Sequence, residues 1–324
     1  MKAVRIHRLE GIDALQIEDV PALKPKRGMV RIAVHAAGVN FADTLAVQGR
    51  YQHKQPLPFT PGMEVAGEVI ERGEGVEGLP VGTRVMAPMR AGAWAEEALC
   101  EAVHVIPMPD NMDYVTGAAF ALNYGTSHLA LTHRVTLGAG QTLLVLGASG
   151  GVGLTAVEIG KVLGATVIAA ASSPEKLEIA KAAGADHLVD YARQDLRETV
   201  LGLTGGVDAV YDPIGGKLSA QALRCIKYEG NLIVVGFASG DIPQIPQNYL
   251  LVKNIAAVGY SWSTYRFQRP ELMRRSLLEL ADWYAAGRLH PHVSHTFPLA
   301  RIGDALRTLT GRASTGKVVL TVRD

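Results

Sequence analysis

Residues 143–154 read LLVLGASGGVGL, a strand-length apolar run followed by small residues, and the glycines admit two chemistries. Parsed as G-x-x-x-G-x-G, Gly147, Gly151 and Gly153 fit a cofactor loop that goes with a catalytic Tyr-x-x-x-Lys pair, and the chain offers one at Tyr249 and Lys253. Parsed as A-x-G-x-x-G, Ala148, Gly150 and Gly153 make a dinucleotide turn with alanine at its first small position. In either case, small residues let the backbone approach a pyrophosphate, and the following helix start supplies N–H groups and positive potential. A third candidate is HPHVSH, with His290, His292 and His295. On a strand His290 and His292 would share a face and His295 would point away, so a strand or loop is expected there, not a metal site. Cys100 and Cys225 are the only cysteines, too few for a thiolate zinc site or a disulfide framework.

These residues need elements to hold them. About the first 120 residues carry short alternating strands with Gly and Pro punctuation, as in MVRIAVHAAGV (29–39) and MEVAGEVIERG (63–73), and predict a β-rich unit. From about 140 the rhythm changes. Strand-length runs at 143–147, 166–171, 187–191, 208–212, 231–236 and 255–260 alternate with helical segments, the pattern of a doubly wound parallel sheet of six strands. After Trp262, PELMRRSLLELADWYAAG (270–287) has helical spacing that Gly287 stops, and GKVVLTV closes the chain as a strand. The expected division is a β-rich domain at 1–122, a dinucleotide domain at 123–262 and a return to the first domain at 263–324.

With a strand before it and a helix after it, the turn Ala148-Ser149-Gly150-Gly151-Val152-Gly153 stands in the setting that dinucleotide binding requires. An acidic residue about 20 positions further on would hold a ribose 2′-hydroxyl. Here the second strand ends AAASSPEK (169–176), without an acid before the helix. Ser172, Ser173 and Lys176 instead offer hydroxyls and a cation suited to a 2′-phosphate, and NADPH is the expected cofactor. The helix that follows can begin with Ser173 as cap and Pro174 at its first position, or with Glu175 as the N3 partner of Ser172 in a capping box. The Tyr249/Lys253 pair reads as a decoy, because Tyr249 follows DIPQIPQN, whose prolines predict a loop. Gly147, on this reading, merely ends its strand.

Several stretches together resemble the zinc-free quinone oxidoreductase branch of the medium-chain dehydrogenase/reductase superfamily, over essentially the whole chain. They include AAGVNFADTLAVQGRY (36–51), PLPFTPGMEVAGEV (56–69), GTSHLAL (125–131), GASGGVG (147–153), GVDAVYDPIGG (206–216), LLVKNIAAVGY (250–260) and GKVVL (316–320). The resemblance implies a GroES-like β-rich domain plus a Rossmann domain, an active site in the cleft between them, and a homodimer formed partly through the last Rossmann strand near 255–260. It places Asn40, Asp43 and Tyr51 near the nicotinamide. Cofactor contacts are implied at Thr126, at the turn Ser149, Gly150, Gly151, Val152 and Gly153, at Ser172, Ser173, Lys176 and Tyr191, at Gly236, Phe237 and Ala238, and at Asn254.

Zinc-dependent relatives carry a Cys where this chain has Asn40, and Gly-His-Glu where it has Gly62-Met63-Glu64. Neither Asn nor Met is a usual Zn²⁺ ligand, so no metal is expected, and Glu64 reads as half of a structural ion pair. The expected activity is hydride transfer from NADPH to a quinone. A 2-alkenal or enone reductase is the alternative, disfavoured slightly because no strong acid is evident for its second step. A third reading is a nucleotide-responsive binding or structural protein with little turnover. A net charge of +1 and the absence of a Lys/Arg cluster argue against a nucleic-acid partner. Glycines, Glu158 and Lys161 interrupt the most apolar stretch, arguing against a membrane span, and the cytoplasm is the default location.

Overall fold

The structure, a computed structural model, describes residues 1–323. The chain forms two compact units. The first comprises Met1–Leu122, Arg266–Gly287 and the residues from Pro291 onward; the second comprises Asn123–Tyr265 and Arg288–His290.

The chain opens with an antiparallel pair, β1 (Lys2–Ile6) and β2 (Leu15–Asp19). A long central strand, β3 (Met29–Val39), leads into the short helix α1 (Phe41–Ala46). Strands β4 (Glu64–Arg72), β5 (Arg84–Pro88), β6 (Glu97–Glu101) and β7 (Ile106–Pro107) follow, then helix α2 (Tyr114–Leu129). The second unit alternates strand and helix: β8 (Thr142–Leu146), α3 (Gly151–Val162), β9 (Thr166–Ala171), α4 (Pro174–Ala182), β10 (His187–Asp190) and α5 (Leu196–Thr204). It continues with β11 (Val207–Asp212), α6 (Gly216–Leu223), β12 (Ile226–Val234), α7 (Gln247–Lys253), β13 (Ala256–Gly259) and α8 (Trp262–Gln268). Then α9 (Pro270–Ala285), β14 (Val293–Pro298), α10 (Ile302–Thr310) and β15 (Lys317–Thr321) end the chain.

In the first unit the sheet order is β14-β15-β3-β4-β5-β7, with β6 also paired to β3. Strand β3 can serve three partners because its register shifts at Arg31/Ile32 and Val34/Ala36, the irregularities that bend a strand from one neighbour to the next. Its Val30, Ile32 and Val34 are fully buried in a core shared with Val65, Trp94 and Leu320. The return of the chain matters most for chemistry. Strand β15 runs antiparallel to β3 with Val318 opposite Val39, which sets Lys317 beside Asn40.

The second unit is a six-stranded sheet of order β10-β9-β8-β11-β12-β13, every pair parallel. The rhythm of the sequence predicts a doubly wound six-stranded sheet, and the order reverses between β8 and β11. All five residues of β8 are buried, which is why its sequence shows a continuous apolar run without alternation. Strand β12 begins at Ile226, earlier than the apolar run at 231–236 indicated, because IKYEG adds a more polar stretch ahead of it.

One expectation is overturned. Residues 247–253 form a helix, not a loop: Pro246 is its N-cap, and the prolines lie outside the helix they were expected to break. Among the described residues no helix is long and apolar enough to cross a membrane.

Candidate active site and cofactor turn

At the end of β3 the chain turns into α1, and Asn40 is the N-cap residue, extended at φ −121°. Its backbone N–H donates to Asp43 Oδ2 at 2.8 Å, the return half of a capping box. The Asn40 amide is oriented by two buried partners: Nδ2 donates to Glu64 Oε1 at 3.0 Å, and Oδ1 accepts from Lys317 Nζ at 2.5 Å. Lys317 Nζ also donates to Glu64 Oε1, and the Leu122 N–H donates to Glu64 Oε2 at 3.0 Å. Glu64, Asp43 and Lys317 are 0%, 0% and 3% exposed, so the four side chains form a closed polar cluster inside an apolar unit. Gly38 makes room for it: a Cβ there would stand 2.6 Å from Glu64 Oε1 and 2.5 Å from the Ala118 carbonyl oxygen.

This donor set does not fit Zn²⁺. The Asn40 oxygen is taken by an ammonium and its nitrogen faces a carboxylate, Met63 is a thioether, and Lys317 already places a cation against Glu64. The ion pair expected for Glu64 therefore exists, and its partner comes from 253 residues further along the chain.

Asp43 differs from its neighbours. Its Oδ1 has no hydrogen-bond partner among the described residues. Burial pushes its carboxyl up to about 7, against the opposing pull of the Asn40 N–H bond and the Lys317 charge. It stands at the edge of a cavity of about 220 Å³ whose walls include Tyr51, Phe59, Met63 and Arg90, all within the first unit. Thus the structure brings Asn40 and Asp43 together as a sequestered pair, and makes Tyr51, half-buried, a wall of the adjoining cavity.

In the second unit, the turn between β8 and α3 explains each of its glycines differently. Gly147 has φ +60°, and a Cβ there would lie 2.7 Å from Ile214 Cδ1. Gly147 is therefore demanded by the turn, correcting its reading as a mere strand end. A Cβ on Gly153 would overlap the Gly147 carbonyl and sit 3.0 Å from Ala148 Cα, so helix and turn pack at backbone contact. Gly150 is the N-cap of α3 at φ −81°, and no side chain caps this helix. The N–H groups of Gly151, Val152 and Gly153 open the helix without intrahelical acceptors. A cradle that small residues keep open, with orphan donors at its floor, fits a dinucleotide pyrophosphate.

The residues expected around this turn follow the carboxyl ends of neighbouring strands. Ser172 and Ser173 follow β9, Tyr191 follows β10, and Gly236, Phe237 and Ala238 follow β12. The Gly236 and Ala238 N–H groups donate to the Asp212 and Pro213 carbonyls, so those two donors are spent within the protein. Thr126 is buried on α2, whose next residue, Ser127, accepts or donates with Thr155 Oγ1 and Tyr211 Oη and donates to the Val152 carbonyl at 2.9 Å. That hydroxyl cluster pins α2 to the first turn of α3, and nothing in the local sequence of any one member announced it.

The capping box is revised. Ser173, not Ser172, is the N-cap of α4, with Pro174 at N1, and its Oγ accepts from the Lys176 N–H. Glu175 also takes a hydrogen bond from Ser173, which holds its carboxyl below the usual range with help from the Arg193 charge. Ser172 is thereby left half-buried with no side-chain hydrogen bond among the described residues, and Arg193, which faces Asp190 at 3.6 Å and whose charge reaches Glu175, is a cation that the spacing argument missed.

Asn254 is not brought to the turn. It precedes β13, at the amino edge of a sheet whose glycine turn lies at the carboxyl edge, and its φ of +50° makes it the left-handed C-cap of α7. Lys253 is at that same edge, its Nζ donating to the Ile226 carbonyl at the start of β12. Tyr249 and Lys253 thus share a helix face after all, on the side of the sheet away from the cofactor turn. The histidines of HPHVSH have separate partners: the His290 N–H donates to Glu158 Oε1, His292 pairs with Thr315, and His295 with Ser294.

The fold and these two sites define a class. Residues 26–110 match the alcohol dehydrogenase GroES-like domain family, and residues 151–280 match the family described as zinc-binding dehydrogenase. The chain belongs to the medium-chain dehydrogenase/reductase superfamily, in its quinone oxidoreductase branch. It is 41% identical to quinone oxidoreductase-like protein 2 of Bos taurus, covering 95% of this chain and 89% of that one. The structure of Escherichia coli quinone oxidoreductase complexed with NADPH is similar at a TM-score of 0.93 and 27% identity, covering 99% of this chain and 100% of that one. The quinone oxidoreductase of Thermus thermophilus, solved also in complex with NADPH, is similar at a TM-score of 0.86 and 32% identity, with coverage of 99% and 100%.

Proposed function

We propose that this protein is a metal-free, NADPH-dependent oxidoreductase that reduces quinones. The observation that carries the reading is the Asn40–Glu64–Lys317 cluster: Asn40 stands where the resemblance puts a zinc-ligating Cys, its amide oxygen accepts from Lys317, and Glu64 is ion-paired to the same ammonium. An acceptor must then be electron-poor enough to react without a metal, as a quinone is. NADPH, when bound, supplies the hydride, and its chemistry needs no covalent intermediate with the protein.

The chain's own residues bind and orient. The first-turn N–H groups of Gly151, Val152 and Gly153, with Ser149 beside them, would hold the pyrophosphate. Ser172, Lys176, Tyr191 and Arg193 would read a 2′-phosphate, with Ser173 capping the helix that carries Lys176. Thr126 and the 236–238 turn would border the nicotinamide half. Asp43, held by its capping box with Asn40, lines the acceptor cavity, and Tyr51 would offer a substrate there a hydroxyl from the cavity wall. A homodimer through β13 is part of the reading: β13 ends the six-stranded sheet, and its Ala256, Ala257 and Gly259 are exposed.

One observation favours the enone alternative. Asp43 retains a proton up to about pH 7, the acid that reaction needs, although its complete burial weighs against direct delivery. The test is a panel assay of NADPH oxidation with quinones, enones and aldehydes. Turnover is expected with quinones first; an enone preference of tenfold or more would replace this reading, and none at all would leave a binding protein.

A further inference from the structure

The cavity beside Asp43 is apolar in its walls but not in its charge. Lys54 and Arg90 both line it and both are exposed, and neither has an acidic partner among the described residues. They come from different parts of the first unit, Lys54 from the loop after α1 and Arg90 from the loop after β5. Arg90 Nη2 donates to the Lys54 carbonyl at 3.2 Å, which ties the two loops and sets the guanidinium beside the Lys54 backbone at the cavity. The only acid lining the cavity is Asp43, whose Oδ1 is unpartnered among the described residues and whose side chain is wholly buried. Burial keeps that carboxyl protonated up to about 7, so below that pH it supplies no counter-charge to the rim. The charge lining the cavity is therefore net positive, which favours an anion at its mouth.

We propose that this cavity takes an electron-poor carbonyl acceptor bearing an anionic substituent, a carboxylate or sulfonate, held at the rim by Arg90 and Lys54. The acceptor's ring would lie against Tyr51, Phe59 and Met63, while the anion meets the guanidinium and ammonium at the mouth. Arg90 suits the planar, two-oxygen face of such a group, and Lys54 adds a point charge. That the bound molecule is a hydride acceptor rests on the oxidoreductase reading, but the anion site itself does not depend on turnover.

The experiment is equilibrium binding to the full chain, comparing naphthalene-2-sulfonate with 2-naphthol, which share a bicyclic ring and differ in charge. The sulfonate is expected to bind at least about tenfold more tightly, with the advantage lost in the double variant Arg90→Gln/Lys54→Gln and eroded by salt. Both side chains are exposed, so an unchanged Tm is expected of the variant. Equal binding of the two compounds, or an advantage that survives the double substitution, overturns the proposal. So does a variant that loses NADPH affinity in step with sulfonate affinity, because the cations would then serve the cofactor. Steady-state reduction of 1,4-naphthoquinone and its 2-sulfonate separates the two readings. If the sulfonate binds through Arg90 and Lys54 but neither quinone is reduced, the anion site stands and the quinone reductase reading falls.

Discussion

The two units build their sites from opposite materials. In the second, the cofactor turn is backbone: its specificity lies in what Gly147 and Gly153 lack, and in N–H groups that a helix start leaves without acceptors. In the first, the site is side chain: an amide, two carboxyls and an ammonium, buried together and satisfied almost entirely by one another. A backbone site tolerates changes in most of its side chains and fails when a Cβ intrudes. A buried charge cluster does the reverse, because removing one member strands the rest.

Lys317→Met should break this contrast most severely. It leaves Glu64 as a buried carboxylate with no cation and Asn40 Oδ1 with no donor, a loss of about 3–5 kcal/mol in folding stability. Adding Glu64→Gln to that variant should recover a large part of the loss, a coupling that a double-mutant cycle by chemical denaturation measures directly. Additive losses would show that the ion pair contributes nothing specific.

Asp43→Asn tests the same cluster through pH. The folded carboxyl holds its proton up to about 7, whereas an unfolded one ionises near 4. Between those values the folded state binds more protons than the unfolded, so this group's contribution to stability falls as pH rises from about 4 to about 7. The wild type should lose up to about 4 kcal/mol over that window through this residue, at about 1.4 kcal/mol per pH step. Asp43→Asn should flatten that part of the profile while other groups continue to titrate. Parallel profiles for the two proteins would mean that Asp43 ionises normally in the fold.

The same contrast decides what was legible in the sequence. The six parallel strands and the glycine turn follow from local patterns, and apolar rhythm plus glycine spacing reveals them, whereas the strand order does not follow, since β11 pairs with β8 across 66 residues. The reason given for setting Tyr249 and Lys253 aside does not hold: the prolines do not prevent the helix, and what separates Lys253 from the turn is sheet polarity, since it reaches the start of β12. Lys317 was invisible because its partners lie 277 and 253 residues away and only the pairing of β15 with β3 joins them. Asn254 went astray for the same cause, since its position follows from strand direction and not from its neighbours in the chain.

Gly153→Ala probes the backbone site. The added Cβ meets the Gly147 carbonyl and Ala148 Cα, neither of which can move without distorting the turn. A stability loss of about 1–3 kcal/mol is expected from the forced overlap. NADPH affinity should fall at least tenfold, read by cofactor fluorescence titration, while the Asp43 pH profile is unchanged. A variant that binds NADPH normally would remove the turn from the cofactor site.

The smallest effect expected is at the reading of the 2′-phosphate. Lys176 is on the first turn of α4, which follows the carboxyl end of β9, and its backbone N–H donates to Ser173 Oγ at a long 3.4 Å. Because the site is partly exposed, its charge is screened, and Lys176→Ala should cost about 1 kcal/mol of NADPH binding, roughly fivefold. NADH, which lacks the phosphate, should bind both proteins alike. Ser172 and Arg193 remain in the variant, so preference should weaken without reversing, and only the triple substitution with Ser172→Ala and Arg193→Ala should abolish it. If the triple variant still prefers NADPH, the 2′-phosphate is recognised elsewhere, and the missing acid after β9 marks only a cap.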